Sequence, residues 1–245
     1  MDSYDTVSER VWARMAIEHP EFTRSHNALA DPYALEYLMF GGQIKLQPFK
    51  GNVMDVGANA GILTAYWALN GAHVVAYEAD PVTYKIFSDM IIRTNLPVVA
   101  FNAAVWSYTG KVSFRGGSCI DHDRTVRGGC LWVPQRPDGF YEDPNAPIVT
   151  VPCISFTEAL GDKEWDCVKM DIEGSEFEVL MSTPVESLRQ IKQLQLEFHH
   201  WWASNQQYKD LLTKLESVFT IEGPVYEPGH EWASRYVWPV LTRKI

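Results

Sequence analysis

Two stretches of this chain combine acids, glycines and strand-like apolar residues in an order suited to holding a small charged ligand. The first is Val53-Met54-Asp55-Val56-Gly57-Ala58-Asn59-Ala60-Gly61, an apolar run that enters a glycine-bearing turn and then a helix. Small residues such as Gly57, Ala58, Asn59 and Gly61 let a ligand approach the backbone, and the unpaired N–H groups of a helix start favour a carboxylate or a phosphate. Phosphate is the weaker choice. The lysine and hydroxyl of a phosphate-binding loop are missing, and Gly57-x-x-x-Gly61 departs from the G-x-G-x-x-G dinucleotide fingerprint. Asp55 adds a charge that repels pyrophosphate and attracts an amino group or a sulfonium. Glu78, with Ala79 after it, stands at the end of the next apolar run, where an acid can accept both hydroxyls of a ribose. Charge-assisted bonds of that kind contribute about 1.5–3 kcal/mol each. Asn102, followed by Ala103, ends the third run; its amide can reach an adenine or close an Asx turn. A ribose-bearing sulfonium, S-adenosylmethionine, fits this set best.

The second stretch is Asp166-Cys167-Val168-Lys169-Met170-Asp171-Ile172-Glu173-Gly174-Ser175-Glu176. Strand alternation puts Cys167, Lys169 and Asp171 on one face. A lysine buried there without a partner would lose about 3–5 pKa units, so an acid beside it is expected, and Asp171 and Glu173 are the candidates. Asp171 falls at the carboxyl end of its strand, where ligands of open α/β sheets bind. In Gln193-Leu194-Gln195-Leu196-Glu197-Phe198-His199-His200 the residues Glu197 and His199 share a face and His200 points away. Glu197 and His199 could act as an acid and base, hold a metal, or simply be solvated. As a base for an acceptor hydroxyl, His199, with an ordinary pKa of about 6.5, competes with Asp171 assisted by Lys169. A divalent ion between Asp171 and Glu197 is possible but not indicated, and the adjacent Asp121, His122 and Asp123 cannot easily converge on one ion.

Short apolar runs alternating with amphipathic segments from Gly51 onward predict strands near Val53–Val56, His73–Glu78, Val98–Asn102, Cys167–Asp171 and Leu194–Phe198. Helices are expected between them: one ends at Asn70-Gly71, one starts at Pro81, one follows the capping box Ser155-x-x-Glu158, and one spans Gln206 to Val218. Phe219–Tyr226 and Tyr236–Arg243 read as a closing hairpin. The expected fold is a Rossmann-like α/β class: a mostly parallel seven-stranded sheet with an antiparallel last strand and helices on both faces. Residues 1–50 read as a helical cap on a domain of residues 51–245, and the Gly- and Pro-rich segment 115–147, too long for an ordinary connection, reads as a lid-like insertion.

The chain has 245 residues, 46% of them hydrophobic, which suits one globular domain. Its net charge of −10 opposes polyanions, and no Lys/Arg cluster offsets it, so the expected partner is a small molecule and not nucleic acid. No apolar run is long enough to span a bilayer and the opening is polar, so no membrane is expected and a cytoplasmic setting is the default. Four cysteines without C-x-x-C spacing read as reduced thiols. The two rival readings are an NAD-dependent oxidoreductase and a binding module that keeps the fold without turnover.

The Asp55-to-Gly61 turn and the Lys169-Met170-Asp171-Ile172-Glu173-Gly174-Ser175-Glu176 run together resemble the FkbM family of methyltransferases, over about Val53 to Phe198. Tyr77-Glu78-Ala79-Asp80-Pro81, Asn102-Ala103-Ala104-Val105 and Gly110-Lys111-Val112 add to the likeness. The resemblance implies the class I S-adenosylmethionine fold and O-methylation of a sugar, polyketide or similar metabolite. The front end and the insertion are where this chain departs from a minimal member.

Overall fold

The computed structural model describes residues 49–115, 130–131, 148–199, 205–222, 236–237 and 240–244. The expected cap therefore lies almost wholly outside the described residues, as do most of the 115–147 insertion and His200. In chain order the strands are β1 (Asn52–Val56), β2 (His73–Tyr77), β3 (Val98–Phe101), β4 (Ala104–Trp106), β5 (Gly110–Arg115), β6 (Cys130–Leu131) and β7 (Ile148–Ser155). They continue with β8 (Cys167–Met170), β9 (Gln193–Leu196), β10 (Phe198–His199), β11 (Phe219–Glu222), β12 (Tyr236–Val237) and β13 (Val240–Arg243). The helices are α1 (Ile62–Leu69), α2 (Pro81–Thr94), α3 (Phe156–Leu160), α4 (Glu176–Ser182), α5 (Val185–Leu188) and α6 (Asn205–Glu216).

The main sheet has seven strands in the order β11-β13-β9-β8-β1-β2-β3. The pairs from β9 through β8, β1 and β2 to β3 are all parallel, while β13 runs antiparallel to both β11 and β9. This is the expected Rossmann-like class I arrangement. It also refines the closing hairpin: the two last strands do pair, but β13 slots inward beside β9 and leaves β11 at the edge. The order reverses between β1 and β8, so a crevice opens at their carboxyl ends, where the two glycine-bearing turns emerge.

Alternation within the strands sorts side chains onto two faces. Met54, Val56, Val168 and Met170 are fully buried in one core with Leu180, Leu188, Leu211 and Phe219. On the other face Val53 and Cys167 pack with Trp67 and Leu63 of α1. Local chemistry sets the helix ends. Asp80 caps α2, its Oδ1 accepting from the Val82 amide at 3.2 Å and its Oδ2 from the Thr83 hydroxyl at 2.9 Å, with Pro81 at the first turn. Asn95 stops that helix in the left-handed region at φ 49°. The Ser155 hydroxyl caps α3 by accepting from the Glu158 amide at 3.2 Å.

A second, four-stranded sheet in the order β4-β7-β5-β6 lies outside the sequence expectation, which placed no strand between Asn102 and Cys167. Pro152 within β7 has no N–H to donate, and it interrupts the alternation that marks a strand. The sheet nonetheless buries Ala104, Val151 and Cys153 against Ala79, Val112 and Val149. Cys130–Leu131, inside the insertion, extend it by pairing with Arg115 and Phe114.

Gly57 shows how closely the two turns are packed. Its backbone sits at φ 79°, and a β-carbon there would overlap the carbonyl oxygen of Asp171. Gly57→Ala is therefore expected to destabilise the fold by about 2–4 kcal/mol, combining left-handed strain with a backbone clash. Urea unfolding checks it, and an unchanged midpoint would contradict this packing.

Candidate functional site

The carboxyl ends of the central strands are stitched together by main-chain bonds that run past the ladder. The Gly57 and Ala58 amides both donate to the Tyr77 carbonyl, at 3.0 and 2.9 Å, and the Asp171 amide donates to the Val56 carbonyl at 3.0 Å. Glu197 donates its amide to Met170 at 2.9 Å, and Glu78 donates its amide to Phe101 at 3.0 Å. The sequence-predicted acids Glu78, Asp171 and Glu197 thus stand at one end of the sheet, with Asp55 inside β1 just before its end. A cavity of about 400 Å³ bordered by Asn52, His73, Val98, Lys163 and Trp165 lies at the opposite, amino ends of β1 to β3 and plays no part in this arrangement.

Lys169 stands opposite Asp55 in the β1–β8 register and opposite Gln195 in the β8–β9 register. A polar row therefore crosses three central strands inside the protein, with Asp55 0%, Lys169 5% and Gln195 2% exposed. The Lys169 Nζ donates to the Gly57 carbonyl at 2.7 Å and lies 3.5 Å from Asp55 Oδ1 and 3.6 Å from Asp171 Oδ2. Burial works against its charge, but Asp171, Asp55, Glu197 and Glu78 outweigh it and hold the ammonium above its ordinary pKa. The expected acid partner is Asp171, joined by Asp55. Glu173, the other candidate, is not paired with Lys169.

Asp55 departs from its expected role. Its carboxylate is fully buried, with Oδ2 accepting the Thr64 hydroxyl at 2.6 Å and Oδ1 facing Lys169, so it braces the turn from beneath instead of offering an open charge to a ligand. The glycines are likewise explained by internal packing. Gly57 makes room for Asp171, and a β-carbon on Gly61 would overlap the ring of Phe87 on α2. Ala58 is buried in the same cluster as Phe87.

Glu78 binds the turn directly. Its Oε2 accepts from the Asn59 amide and its Oε1 from the Asp80 amide, each at 2.8 Å. Asn59 sits in the left-handed region at φ 52°, and its own Oδ1 accepts from the Ala60 amide at 2.7 Å. Burial pushes Glu78 up while the Asp80 and Asn59 amides pull it back, leaving it at about 7. Asn102 turns its amide onto the carbonyls of Glu78 and Ala79, at 2.9 and 3.1 Å, so its donor hydrogens hold the β2–α2 connection instead of standing free for a base. Ala79 packs toward the second sheet and Ala103 toward the main core.

Glu197 and Asp171 form a hydrogen-bonded carboxyl pair just past the ends of the neighbouring strands β9 and β8. Burial, and then the charge of Asp171, push Glu197 up to about 11, so it carries a proton at neutral pH. His199 lies on β10, where its main chain pairs with Tyr236, and its side chain is outside those described. Among the described residues no group of three or more His, Cys, Asp or Glu is placed to hold a metal ion. Two residues with evident work in the site were missed from sequence. Thr64 is a fully buried hydroxyl on the otherwise apolar α1, and that isolation was its signal. Glu176 Oε1 accepts from the Ile172 and Gly174 amides, at 2.9 and 3.3 Å, and so shapes the turn after Asp171. There Glu173 and Gly174 are both left-handed, at φ 53° and 98°.

This charge set is compatible with a sulfonium nucleoside. Asp55 and Asp171 flank the buried Lys169 ammonium, Glu78 brings a further carboxyl group, and each of its oxygens keeps acceptor capacity for a ribose hydroxyl beyond its one amide. A testable consequence concerns Glu197. Unfolded, it ionises near 4.5; folded, it keeps its proton to about 11. The folded state then binds more protons across this range, so the group makes stability fall as pH rises, by at most about 1.4 kcal/mol per pH unit. Glu197→Gln, which mimics the protonated form, is expected to flatten that decline and to gain on the wild type steadily from pH ~6 to pH ~9 in thermal melts. A constant difference between the two curves would refute the protonated assignment.

Comparison with known proteins identifies the family. The model of the methyltransferase FkbM domain matches residues 55–220, which contain both turns. No curated protein sequence matches the chain. Solved structures are similar to this chain at low identity. Precorrin-6y C5,15-methyltransferase from Geobacter metallireducens is 13% identical with a TM-score of 0.42, covering 83% of this chain and 85% of that one. An rRNA methylase from Streptococcus thermophilus is 9% identical with a TM-score of 0.45, covering 86% and 96%. Fibrillarin from Aeropyrum pernix, solved with natively bound S-adenosyl-L-methionine, is 8% identical with a TM-score of 0.44, covering 83% and 72%. Neighbours named for RNA correct the expectation that nucleic acid is excluded as a partner. Net charge sums over the whole chain, whereas polyanion binding depends on local surface, so −10 does not decide the matter. The dehydrogenase alternative gives way to the family match: over two turns, one strand order and residues 55–220, this chain belongs to the FkbM-domain methyltransferases, with S-adenosylmethionine as its cofactor.

Proposed function

We propose that the chain transfers a methyl group to a hydroxyl oxygen of a small metabolite at the carboxyl ends of β1, β2, β8 and β9. One observation supports this reading: the Asp171–Glu197 pair adjoins the Lys169-braced turn, and a carboxylate held there would accept from a hydroxyl donor. The bound cofactor supplies an electrophilic methyl on a positively charged sulfur, and that charge is lost as the methyl leaves. Glu78 would take the ribose hydroxyls, the turn from Gly57 to Gly61 would lie along the amino-acid portion, and the first amides of α1 would face its carboxylate. Asp171 would orient the acceptor hydroxyl and accept its proton, while protonated Glu197 donates to Asp171 and fixes its direction. As the oxygen–methyl bond forms, the sulfur–methyl bond breaks and the hydroxyl proton passes to Asp171 or to water. His199 is the second candidate base. Alignment of this kind contributes about 7–11 kcal/mol of barrier lowering, and a general base about 10²–10⁴-fold.

No described helix is long and apolar enough to cross a membrane. A cytoplasmic setting goes with this reading, since Cys153 and Cys167 are free thiols.

Labelled methyl from S-adenosylmethionine, offered to a panel of sugars, polyketides and phenols beside an RNA pool, tests the assignment. A product of a hydroxylated small molecule is expected; label entering only RNA, or only amines, would replace the reading. In the active assay Asp171→Asn is expected to lower kcat by about 10²–10⁴-fold. A change confined to KM would remove Asp171 as base.

Glu78 gives a separate test through the cofactor. Its carboxylate accepts hydroxyl hydrogens best when ionised, so affinity for S-adenosylhomocysteine should rise from pH ~6 to pH ~8 as Glu78 passes its pKa of about 7. Glu78→Gln should bind more weakly and show a flat profile by calorimetry. A variant with the wild-type slope would show that another group controls it.

A further inference from the structure

The buried polar row is continuous from one side of the site to the other. On the cofactor side, the Thr64 hydroxyl of α1 donates to Asp55 Oδ2 at 2.6 Å. Asp55 Oδ1 faces the Lys169 Nζ at 3.5 Å and makes no hydrogen bond of its own. On the acceptor side the same Nζ lies 3.6 Å from Asp171 Oδ2, and Asp171 in turn takes a hydrogen bond from Glu197. The one short bond of the ammonium, at 2.7 Å, goes to the Gly57 carbonyl, which is part of the cofactor turn.

The ammonium therefore sits between two carboxylates at nearly equal, rather long distances, and neither holds it at hydrogen-bond range. A small change of charge or bonding on either side shifts that balance. Thr64 withdraws part of the demand of Asp55 on Lys169, because its hydroxyl satisfies Oδ2. With Asp171 neutral, Lys169 would fall wholly to Asp55. Each shift moves the Gly57 carbonyl with it, and Gly57 has no slack: its α-carbon lies against the Asp171 carbonyl with no room for even a β-carbon.

We infer that Lys169 is a positioning residue, not a catalytic one, and that with Thr64 and Asp55 it couples the acceptor side of the site at Asp171 to the shape of the cofactor turn at Gly57. This rests on the cofactor lying along that turn, as proposed above. A substrate hydroxyl engaging Asp171 then alters how tightly the turn grips the cofactor, and cofactor binding alters Asp171, with no movement of the sheet.

A double-mutant cycle on cofactor affinity isolates the coupling. Thr64 and Asp171 are joined through Asp55 and Lys169. Affinity for S-adenosylhomocysteine is measured by calorimetry on the full chain for wild type, Thr64→Val, Asp171→Asn and the double variant. Thr64→Val is expected to weaken binding about 5-fold in the wild type but less than about 2-fold beside Asp171→Asn, where Lys169 already belongs to Asp55. Thr64→Ser, which keeps the hydroxyl, should bind as the wild type does. Equal factors in both backgrounds would overturn the proposal while leaving the cofactor site standing. No binding by the wild type would overturn the cofactor reading and this inference with it. Should Thr64→Val fail to fold, Thr64→Ala enters the cycle with the same two outcomes.

Discussion

An ammonium group enclosed in the middle of a parallel sheet is the constraint to which the rest of this protein conforms. Lys169 is 5% exposed, and an uncompensated charge at such a place would cost several kcal/mol. Compensation comes from the strand alongside, where Asp55 occupies the register position opposite, from Asp171 at the end of its own strand, and from the Gly57 carbonyl. Removing any one of these leaves the others buried and unbalanced, so β1, β8 and both of their turns must form together. The tight approach of Gly57 to Asp171 follows from that demand, and glycine at 57 follows from the approach.

From this clamp the site is built outward in two directions. Toward β2, Glu78 ties the main chain of the first turn to the start of α2 by accepting from Asn59 and Asp80. Toward β9, Asp171 and Glu197 share a hydrogen bond at the strand ends, and Glu176 holds the turn between them by accepting two of its amides. Each acid thus has a structural partner before any ligand arrives. Preorganisation of this kind suits methyl transfer, where little charge needs stabilising and alignment dominates.

The seven-stranded sheet β11-β13-β9-β8-β1-β2-β3 is the framework to which both turns and the second sheet are attached. The second sheet, β4-β7-β5-β6, packs its buried residues against Ala79, just after β2.

By itself the sequence determined the parts that depend on neighbouring residues along the chain. The five parallel strands, the Asp80-Pro81 helix start, the Ser155 cap, the family and the set of acids Asp55, Glu78, Asp171 and Glu197 were all legible, because apolar alternation, capping and motif spacing are local properties. Only the tertiary structure decided what those acids face. Asp55 looked open to a ligand but lies beneath the turn, since the β1–β8 register sets it against Lys169 and the packing of α1 brings Thr64 onto its other oxygen. Asn102, read as meeting an adenine or closing an Asx turn, is drawn onto the Glu78 and Ala79 carbonyls, and Glu197, read as an acid/base partner of His199, a metal ligand or a solvated group, is buried beside Asp171 and protonated. Register, burial and the pairing of charges are relations between residues far apart in the chain, and no local pattern encodes which of two oxygens is already taken.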